Sequence, residues 1–377
     1  MPNRREAIGL ALAGAAFRFG AATAATATGF NDRNYAGAVV IDALGAPGGS
    51  DPSLPDYAPL SAKDIADVRA SGITALNWTV NAVGNGSDRF EKSIENIASV
   101  ERELVAHPDV FVKVRTAGDL ALAKSTKRMG LIFGCQDTAM LDGDLKRLAV
   151  FGDLGVRICQ PTYNRRNLVG DGCLETADGG LSRLGHEFVS ETNRLNMLLD
   201  LSHAGPRTIS DGIGASTAPM AITHTGCRSL VDLPRNTYDH DLKALADRGG
   251  VAGIYFMPFL RLSGQPHGED LIRHLEYAVN ICGEDHVGLG TDGGVSAVEL
   301  NDAYRAAAHK EHEERVKAGI SAPGESADVF TFIPEYNDPR RFKMLADDLA
   351  RRGWASGRIE KLLGQNFARL FREVWKS

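Results

Sequence analysis

The sequence predicts an α/β fold, a (β/α)8 TIM barrel, and three observations support this prediction. Short aliphatic runs alternate with helix signals along most of the chain. Each run closes on Gly, Ser or Thr, as is typical of strands buried in a parallel sheet. Three runs end in an ionisable residue, and such barrels keep functional groups at the carboxyl ends of their strands. The eight predicted main strands are residues 38–44, 73–80, 129–136, 156–163, 251–257 and 287–292 and the runs that end at His203 and His224.

Helix signals separate these strands. Ser61 is positioned to cap a helix, and apolar side chains recur at helical spacing over residues 88–106. A charged helix from His309 to Val316 and a Gly/Ser/Pro-rich loop interrupt the alternation. We therefore predict one barrel domain over residues 30–377, with an insertion at about 295–335. The remaining signals are helices at 144–153, 184–195, 340–352 and 356–375 and a small extra strand at 110–114.

Composition describes a globular protein and excludes one class of partner. The chain has 377 residues, of which 43% are hydrophobic and 24% charged, and a formal net charge of −6. Its basic residues are scattered, whereas nucleic-acid binding requires a basic footprint, so no nucleic-acid partner is expected. The five cysteines include no Cys-x-x-Cys pair, and we expect buried thiols rather than a disulfide framework.

The first 29 residues differ from the rest in composition. Arg4 and Arg5 precede an apolar stretch over residues 7–17, and an Ala/Thr-rich segment follows to Thr28. A basic start, a short apolar region and Ala-x-Ala-like sites are typical of a secretory signal, and the paired arginines indicate the twin-arginine route. We therefore expect a periplasmic protein whose leader covers residues 1–29. The charged helix near residue 377 gives no anchor signal, so no stable membrane anchor is expected.

Three ionisable residues at strand ends are the candidate site. His203, His224 and Asp292 each close a predicted strand of the same parallel barrel, so their side chains should converge on one face. Two imidazoles and a carboxylate can hold a zinc ion and leave one position open for water. The pattern therefore indicates a metal-ligand set of His203, His224 and Asp292.

Longer stretches carry a family resemblance. They are Pro-Thr-Tyr-Asn-Arg-Arg-Asn-Leu-Val-Gly-Asp-Gly-Cys (161–173), Gly-Gly-Leu-Ser-Arg-Leu-Gly (179–185), the run 193–203, Ile-Thr-His-Thr-Gly (222–226), Pro-Arg-Asn (234–236) and Val-Gly-Leu-Gly-Thr-Asp (287–292). In order and spacing, these stretches resemble the renal, or membrane, dipeptidase family of zinc peptidases (peptidase family M19), with this chain as a divergent bacterial member.

The resemblance implies a barrel of the metal-dependent hydrolase, amidohydrolase-like type with a two-zinc site. His203 and His224 would bind one zinc. Asp292 would bind the other zinc and handle the proton of the attacking water. Arg235 would receive the substrate carboxylate, a role that suits a planar guanidinium because it can donate two parallel hydrogen bonds.

The chain departs from the family pattern at the metal site. Leu44 and Ala46 stand where the first strand should supply His-x-Asp, and neither can bind a metal. Gln136 replaces the bridging glutamate and remains a candidate substrate-binding residue. Tyr163 replaces the histidine that steadies the tetrahedral intermediate, and its phenol can still donate a hydrogen bond to an oxyanion. Asp42 and Asp137 are poorly placed to supply the missing ligands.

Counting the ligands leaves one zinc per chain or none, and three functional hypotheses stay open. The first is a dipeptidase-like metallohydrolase for dipeptides or small amides, with Asp292 and Tyr163 as catalytic residues and Arg235 as the carboxylate receptor. The second is a repurposed enzyme of the same fold with isomerase, tautomerase or specialised-metabolite activity. The third is a non-catalytic periplasmic binder. In each, the partner is a small molecule with a free carboxylate, and a homodimer remains open.

Overall fold

The computed structural model describes residues 30–49, 52, 57–84 and 86–375, and the leader predicted over residues 1–29 lies outside the described residues. Eleven strands are present in this described part of the chain. They are β1 Ile41–Asp42, β2 Gly45–Ala46, β3 Ala75–Thr79, β4 Phe111–Val114, β5 Met129–Cys135, β6 Val156–Cys159, β7 Leu198–Leu199, β8 Ala221–Thr225, β9 Val251–Ile254, β10 Val287–Leu289 and β11 Gly293–Gly294.

The helices largely alternate with these strands. The α-helices are α1 Asp32–Gly37, α2 Ala62–Ser71, α3 Arg89–Ala106, α4 Ala117–Thr126, α5 Lys146–Leu154, α6 Arg183–Arg194, α7 Pro206–Ala215, α8 Asp239–Asp247, α9 Gly268–Cys282, α10 Asp302–Lys317, α11 Arg341–Arg351, α12 Ser356–Glu360 and α13 Asn366–Val374. Short 3₁₀ turns lie at Ala139–Leu141, Pro258–Leu260 and Pro334–Tyr336, and a π-helical turn at Lys361–Gln365 joins α12 to α13.

The main strands form the predicted parallel (β/α)8 barrel. The order β1-β3-β5-β6-β7 is parallel throughout, and β8, β9 and β10 form a second parallel group. A parallel bridge between Asp200 and Ala221 joins β7 to β8. On the other side, the Ala43 amide donates to the Leu289 carbonyl at 2.9 Å and joins β1 to β10. The extra strand at 110–114 is confirmed as β4, which pairs with β5.

The strands at the candidate site are shorter than predicted. The run that ends at His203 forms a ladder only over Leu198–Leu199, and the run that ends at Asp292 only over Val287–Leu289. Beyond these points the chain bonds through side chains: the backbone amides of Ser202 and Thr291 donate to buried aspartates. Because backbone donors can be satisfied in this way, the segments leave the sheet without an energetic penalty.

Helix α13 closes the end of the barrel away from the candidate site. An apolar cluster joins its Phe367 and Phe371 to alternate strand residues such as Ile41, Ile132 and Val251. These strand residues share one face because side chains alternate along a strand. A second, larger cluster fills the space between the outer strand faces and the helices. No helix in the described part of the chain is long and apolar enough to cross a membrane.

We expect Phe371→Ala to destabilise the protein by about 3–5 kcal/mol, because it removes a fully buried ring from the barrel floor. The Phe371 ring stacks on Trp375 at 4.2 Å between centroids and is 0% exposed. Urea unfolding measures the change. Val105→Ala is the control: Val105 is 78% exposed, and its loss should alter the free energy of unfolding by no more than about 0.5 kcal/mol. Equal effects of the two variants would contradict this account of α13.

Candidate active site

The predicted site residues meet at the carboxyl ends of the strands. His203 follows β7, His224 lies within β8, and Asp292 follows β10. The imidazole rings of His203 and His224 lie 4.8 Å apart between centroids. His203 and Asp292 both have left-handed backbone conformations, with φ of 62° and 58°. A non-glycine residue in this region is strained, and such residues cluster at functional sites.

Two buried aspartates fix the strand ends from which the site projects. Asp42 accepts hydrogen bonds from the amide and the hydroxyl of Thr291 at 2.8 and 2.6 Å. Asp200 accepts the same pair from Thr223 at 2.9 and 2.6 Å. Each threonine directly precedes a site residue, Asp292 or His224, so each pair sets where that residue begins.

The Asp200 carboxylate also sets the proton on His224. Its oxygens accept further hydrogen bonds from the amide and hydroxyl of Ser202 and from the Gln160 amide. Since the Thr223 hydroxyl donates to Asp200, it accepts from His224 Nδ1, which lies 2.9 Å away. His224 Nε2 is therefore unprotonated, and it is buried without a partner among the described residues.

His203 is held on both of its ring nitrogens. An Arg235 Nη2 atom lies 3.2 Å from His203 Nε2, and arginine can only donate, so Nε2 is the acceptor. His203 Nδ1 consequently carries the proton and donates to Asn164 Oδ1 at 2.7 Å. Burial and the positive charge of Arg235 hold the pKa values of both His203 and His224 well below their usual range. Both imidazoles are neutral at pH 7.

Tyr163 covers one face of His203. The two rings stack with centroids 4.1 Å apart. Tyr163 lies in the loop after β6, and burial raises the pKa of its phenol. The phenol is therefore protonated at neutral pH and can donate a hydrogen bond, as the sequence predicts for an oxyanion partner.

Arg235 is a buried cation at the centre of the site. It is only 4% exposed, and its guanidinium lies 5.9 Å from the Tyr255 ring centroid and 5.7 Å from the Phe259 centroid. None of the described carboxylates lies within 4 Å ion-pair distance of it. A buried charge without a counter-ion is costly, so this guanidinium is suited to an anionic ligand.

The Asp292 carboxyl faces two arginines. Burial raises the pKa of Asp292 to about 6, while the charges of Arg235 and Arg315 lower it and that of Glu325 raises it. None of the described residues donates a hydrogen bond to this carboxyl. A carboxyl group with a pKa near neutrality and free lone pairs is suited to general acid–base chemistry.

The other residues considered from the sequence hold the surrounding structure. Gln136 Nε2 donates to Thr79 Oγ1 at 2.7 Å, which ties its side chain to the end of β3. The Asp137 carboxylate accepts from Asn81 and from backbone amides and is not directed at the histidines. The Leu44 side chain is buried, and its carbonyl accepts from the Asp292 amide at 2.8 Å.

The zinc site implied by the resemblance requires at least three protein ligands. In the described ranges, no three His, Cys, Asp or Glu side chains are grouped so that they could hold a metal ion. His203 Nε2, through which a metal would bind, instead accepts from Arg235, whose charge repels a divalent cation. His224 and Asp292 alone are too few ligands. As arranged, these residues do not fit a bound zinc.

Three residues at the site carry no signal that sequence reasoning used. Asn164 lies in a quoted motif, yet its role in orienting His203 follows only from the fold. Arg315 and Glu325 lie in the predicted insertion, in a segment of mixed charge where one arginine cannot be distinguished from another. Their approach to Tyr163 and Asp292 is a long-range contact.

Comparison with known proteins agrees with this geometry. Residues 55–311 match the family described as membrane dipeptidase (peptidase family M19). The chain belongs to this family of hydrolases. A protein encoded in the pqqA 5′ region of Klebsiella pneumoniae is 28% identical over 290 residues, which cover 74% of this chain and 94% of that protein. An uncharacterized dipeptidase of Schizosaccharomyces pombe is 28% identical over 227 residues, which cover 58% of this chain and 54% of that protein.

Solved structures of the family share the barrel. An amidohydrolase from Pseudomonas aeruginosa superposes with a TM-score of 0.76 and 30% identity, over 91% of this chain and 98% of that one. A metallo peptidase from Rhodobacter sphaeroides, liganded with a phosphinate mimic of the dipeptide L-Ala-D-Ala, superposes with a TM-score of 0.71 and 18% identity, over 89% and 99%. The second likeness shows the fold alone.

We expect Thr291→Val to destabilise the protein by about 1–3 kcal/mol at pH 8, because the Asp42 carboxylate loses its closest donor. Burial raises the pKa of Asp42 to about 7, so at pH 5.5 the group is neutral and the loss should be smaller. Urea unfolding at both pH values measures the change. Thr291→Ser keeps the hydroxyl and serves as the control; if it destabilises as much as Thr291→Val, the hydroxyl does not hold this strand end.

Proposed function

We propose that the protein acts on a small substrate with a free carboxylate, a dipeptide or related amide, by acid–base chemistry at Asp292 and without a catalytic metal. The observation that carries this proposal is Arg235: a buried guanidinium without a carboxylate partner occupies His203 Nε2 and lies close to the Asp292 carboxyl. It provides a receptor for an anion at the position where the family resemblance implies a metal.

Arg235 would bind the substrate carboxylate. Its planar fork can donate two parallel hydrogen bonds to a carboxylate, and the rings of Tyr255 and Phe259 flank it on the protein side. A bound carboxylate would neutralise the buried charge, so binding should strongly favour anionic ligands. The unpartnered Nε2 atom of His224 offers an acceptor for a substrate N–H group.

Asp292 would move the proton. At pH 7 a carboxyl group with a pKa of about 6 is mostly ionised and can take a proton from an attacking water. The water oxygen then bonds to the amide carbon, the C–N bond breaks, and Asp292 returns the proton to the departing amine nitrogen. The Tyr163 phenol would donate to the oxygen that becomes negative during this step.

Family membership supports a hydrolytic reaction, and the liganded metallo peptidase supports a dipeptide-sized pocket in this fold. A second candidate is proton transfer on a carboxylated substrate without cleavage, such as tautomerisation. It is favoured by the single carboxyl with a shifted pKa and by the misfit of the site residues to zinc, which would otherwise activate the water. Product analysis by mass spectrometry separates the two, because hydrolysis adds the mass of one water.

We expect the rate to fall as the pH drops through about 6, because protonation removes the base, Asp292. Asp292→Asn should lower kcat about 10²- to 10⁴-fold while a carboxylated ligand still binds. A panel of dipeptides assayed from pH 4.5 to 8.5 gives the profile, and calorimetry gives the affinity. Asp328→Asn, at an exposed carboxyl, is the control. A profile that is flat through pH 6, or full activity of Asp292→Asn, would contradict the role of Asp292.

We expect the purified protein to keep its activity after chelator treatment and to bind zinc weakly, because Arg235 repels the ion. Arg235→Met removes this charge and frees His203 Nε2, so zinc affinity should rise about tenfold or more. Competition with a chromophoric chelator measures the affinity. The double variant Arg235→Met/His224→Ala should lose the gain, which excludes zinc bound elsewhere. One tightly held zinc per wild-type chain, lost in His224→Ala, would refute metal-free chemistry.

A further inference from the structure

The segment after β11 covers the barrel mouth and brings one residue into the site. Helix α10 lies outside the core alternation, and its Arg315 follows the end of the family match at residue 311. The Arg315 guanidinium lies beside the Tyr163 phenol. The Asp292 carboxyl also feels its charge. Neither the family match nor the motifs of the sequence assign a role to this arginine.

Glu325 holds the Arg315 side chain in one orientation. Arg315 Nε and Nη2 donate to the two carboxylate oxygens of Glu325 at 2.9 and 2.8 Å. The Glu325 side chain is only 8% exposed. Such a two-bonded pair fixes the plane of the guanidinium. Because Glu325 neutralises Arg315, this arginine differs from Arg235 and is not a second receptor for a substrate carboxylate.

The loop after α10 is tied to the segment that carries Tyr163. Asn164 Nδ2 donates to the Ile320 carbonyl at 2.8 Å, and Arg165 Nε donates to the Gly319 carbonyl at 2.6 Å. These bonds flank the phenol on its carboxyl-terminal side, so the position of Arg315 is coupled to that of Tyr163. The opposite edge of Tyr163 is fixed by its stacking on His203.

A glycine lets the same loop reach the far side of the mouth. Gly324 has φ of +106°, and a Cβ there would lie 2.9 Å from Leu233 Cδ1 and 3.0 Å from Phe259 Cδ1. Phe259 also flanks Arg235. The cover therefore spans from Tyr163 to Arg235, and its placement brings Arg315 between the two.

We propose that Arg315 is a positioning residue that directs the Tyr163 hydroxyl proton at the substrate. The argument is one of donors and acceptors, and it rests on the proposed function. A guanidinium has no acceptor, so beside a phenol it can only donate, and the phenol oxygen must accept. The hydroxyl hydrogen then points away from Arg315. A hydroxyl that accepts from a cation is also a stronger donor, which suits contact with a developing oxyanion.

Electrostatics agree with this geometry. The charge of Arg315 lowers the pKa of Tyr163 against the raising effect of burial, and it lowers the pKa of Asp292. Removing Arg315 should therefore raise both pKa values. A purely structural clamp between α10 and residue 325 would leave them unchanged.

The test compares Arg315→Gln with Arg305→Gln, an exposed arginine on the same helix that lies over Phe330. Arg315→Gln should lower kcat about 10- to 100-fold with KM within about twofold, and should move the acid limb of the rate profile to higher pH. Arg305→Gln should change none of these. Arg315→Lys keeps the charge and should restore the acid limb.

A double-mutant cycle separates positioning from structural support. In a Tyr163→Phe background, Arg315→Gln should cause no further loss in kcat, because the proton it directs is absent. Additive losses, or an acid limb that does not move, would overturn the proposal while leaving the proposed function intact. Should Arg315→Gln fail to fold by thermal melting, Arg315→Lys in the same cycle decides the question.

A readout independent of turnover keeps this proposal distinct from the proposed function. Tyrosine-labelled protein, with Tyr163→Phe to assign the signal, reports the Tyr163 phenol pKa by NMR. We expect Arg315→Gln to raise that pKa and Arg305→Gln to leave it unchanged. An unchanged Tyr163 pKa in Arg315→Gln would refute the contact, whether or not dipeptides are substrates.

Discussion

A carboxylate that accepts two hydrogen bonds from one threonine holds each strand end that carries the site. Asp42 does this for Thr291, and Asp200 does it for Thr223. Both pairs lie where the ladder has ended and backbone donors need new partners. The histidine tautomers, the stacking of Tyr163 and the reach of Arg235 all start from these two fixed points. The polar interior of the barrel mouth is thus part of its architecture.

The charge balance of the site follows from one substitution of cation type. Leu44 and Ala46 remove the ligands that a first metal would need, and Arg235 supplies a fixed charge against His203. A guanidinium needs no ligand set and cannot lose its charge at neutral pH, but it donates hydrogen bonds where a metal would accept lone pairs. The site therefore binds oxygen atoms through directed hydrogen bonds, with neutral imidazoles beside them.

The sequence predicts the barrel well because its signals are local. Aliphatic runs such as residues 129–136 describe buried parallel strands wherever they occur, and His203, His224 and Asp292 were found because each closes such a run. The ends of those strands were predicted too long, since Asp42 and Asp200 take over the bonding. Arg315 was missed because only the tertiary fold brings residue 315 to residue 163, and no periodicity records that contact.

The left-handed backbone at His203 and Asp292 limits how this site can diverge. Asparagine, aspartate, histidine and glycine tolerate that conformation far better than β-branched residues do. Relatives that abandoned the chemistry would therefore still be restricted to this small set at both positions. Identity at these two positions is partly a record of backbone geometry, and a retained aspartate or histidine there is weaker evidence of catalysis than the same residue on a regular strand.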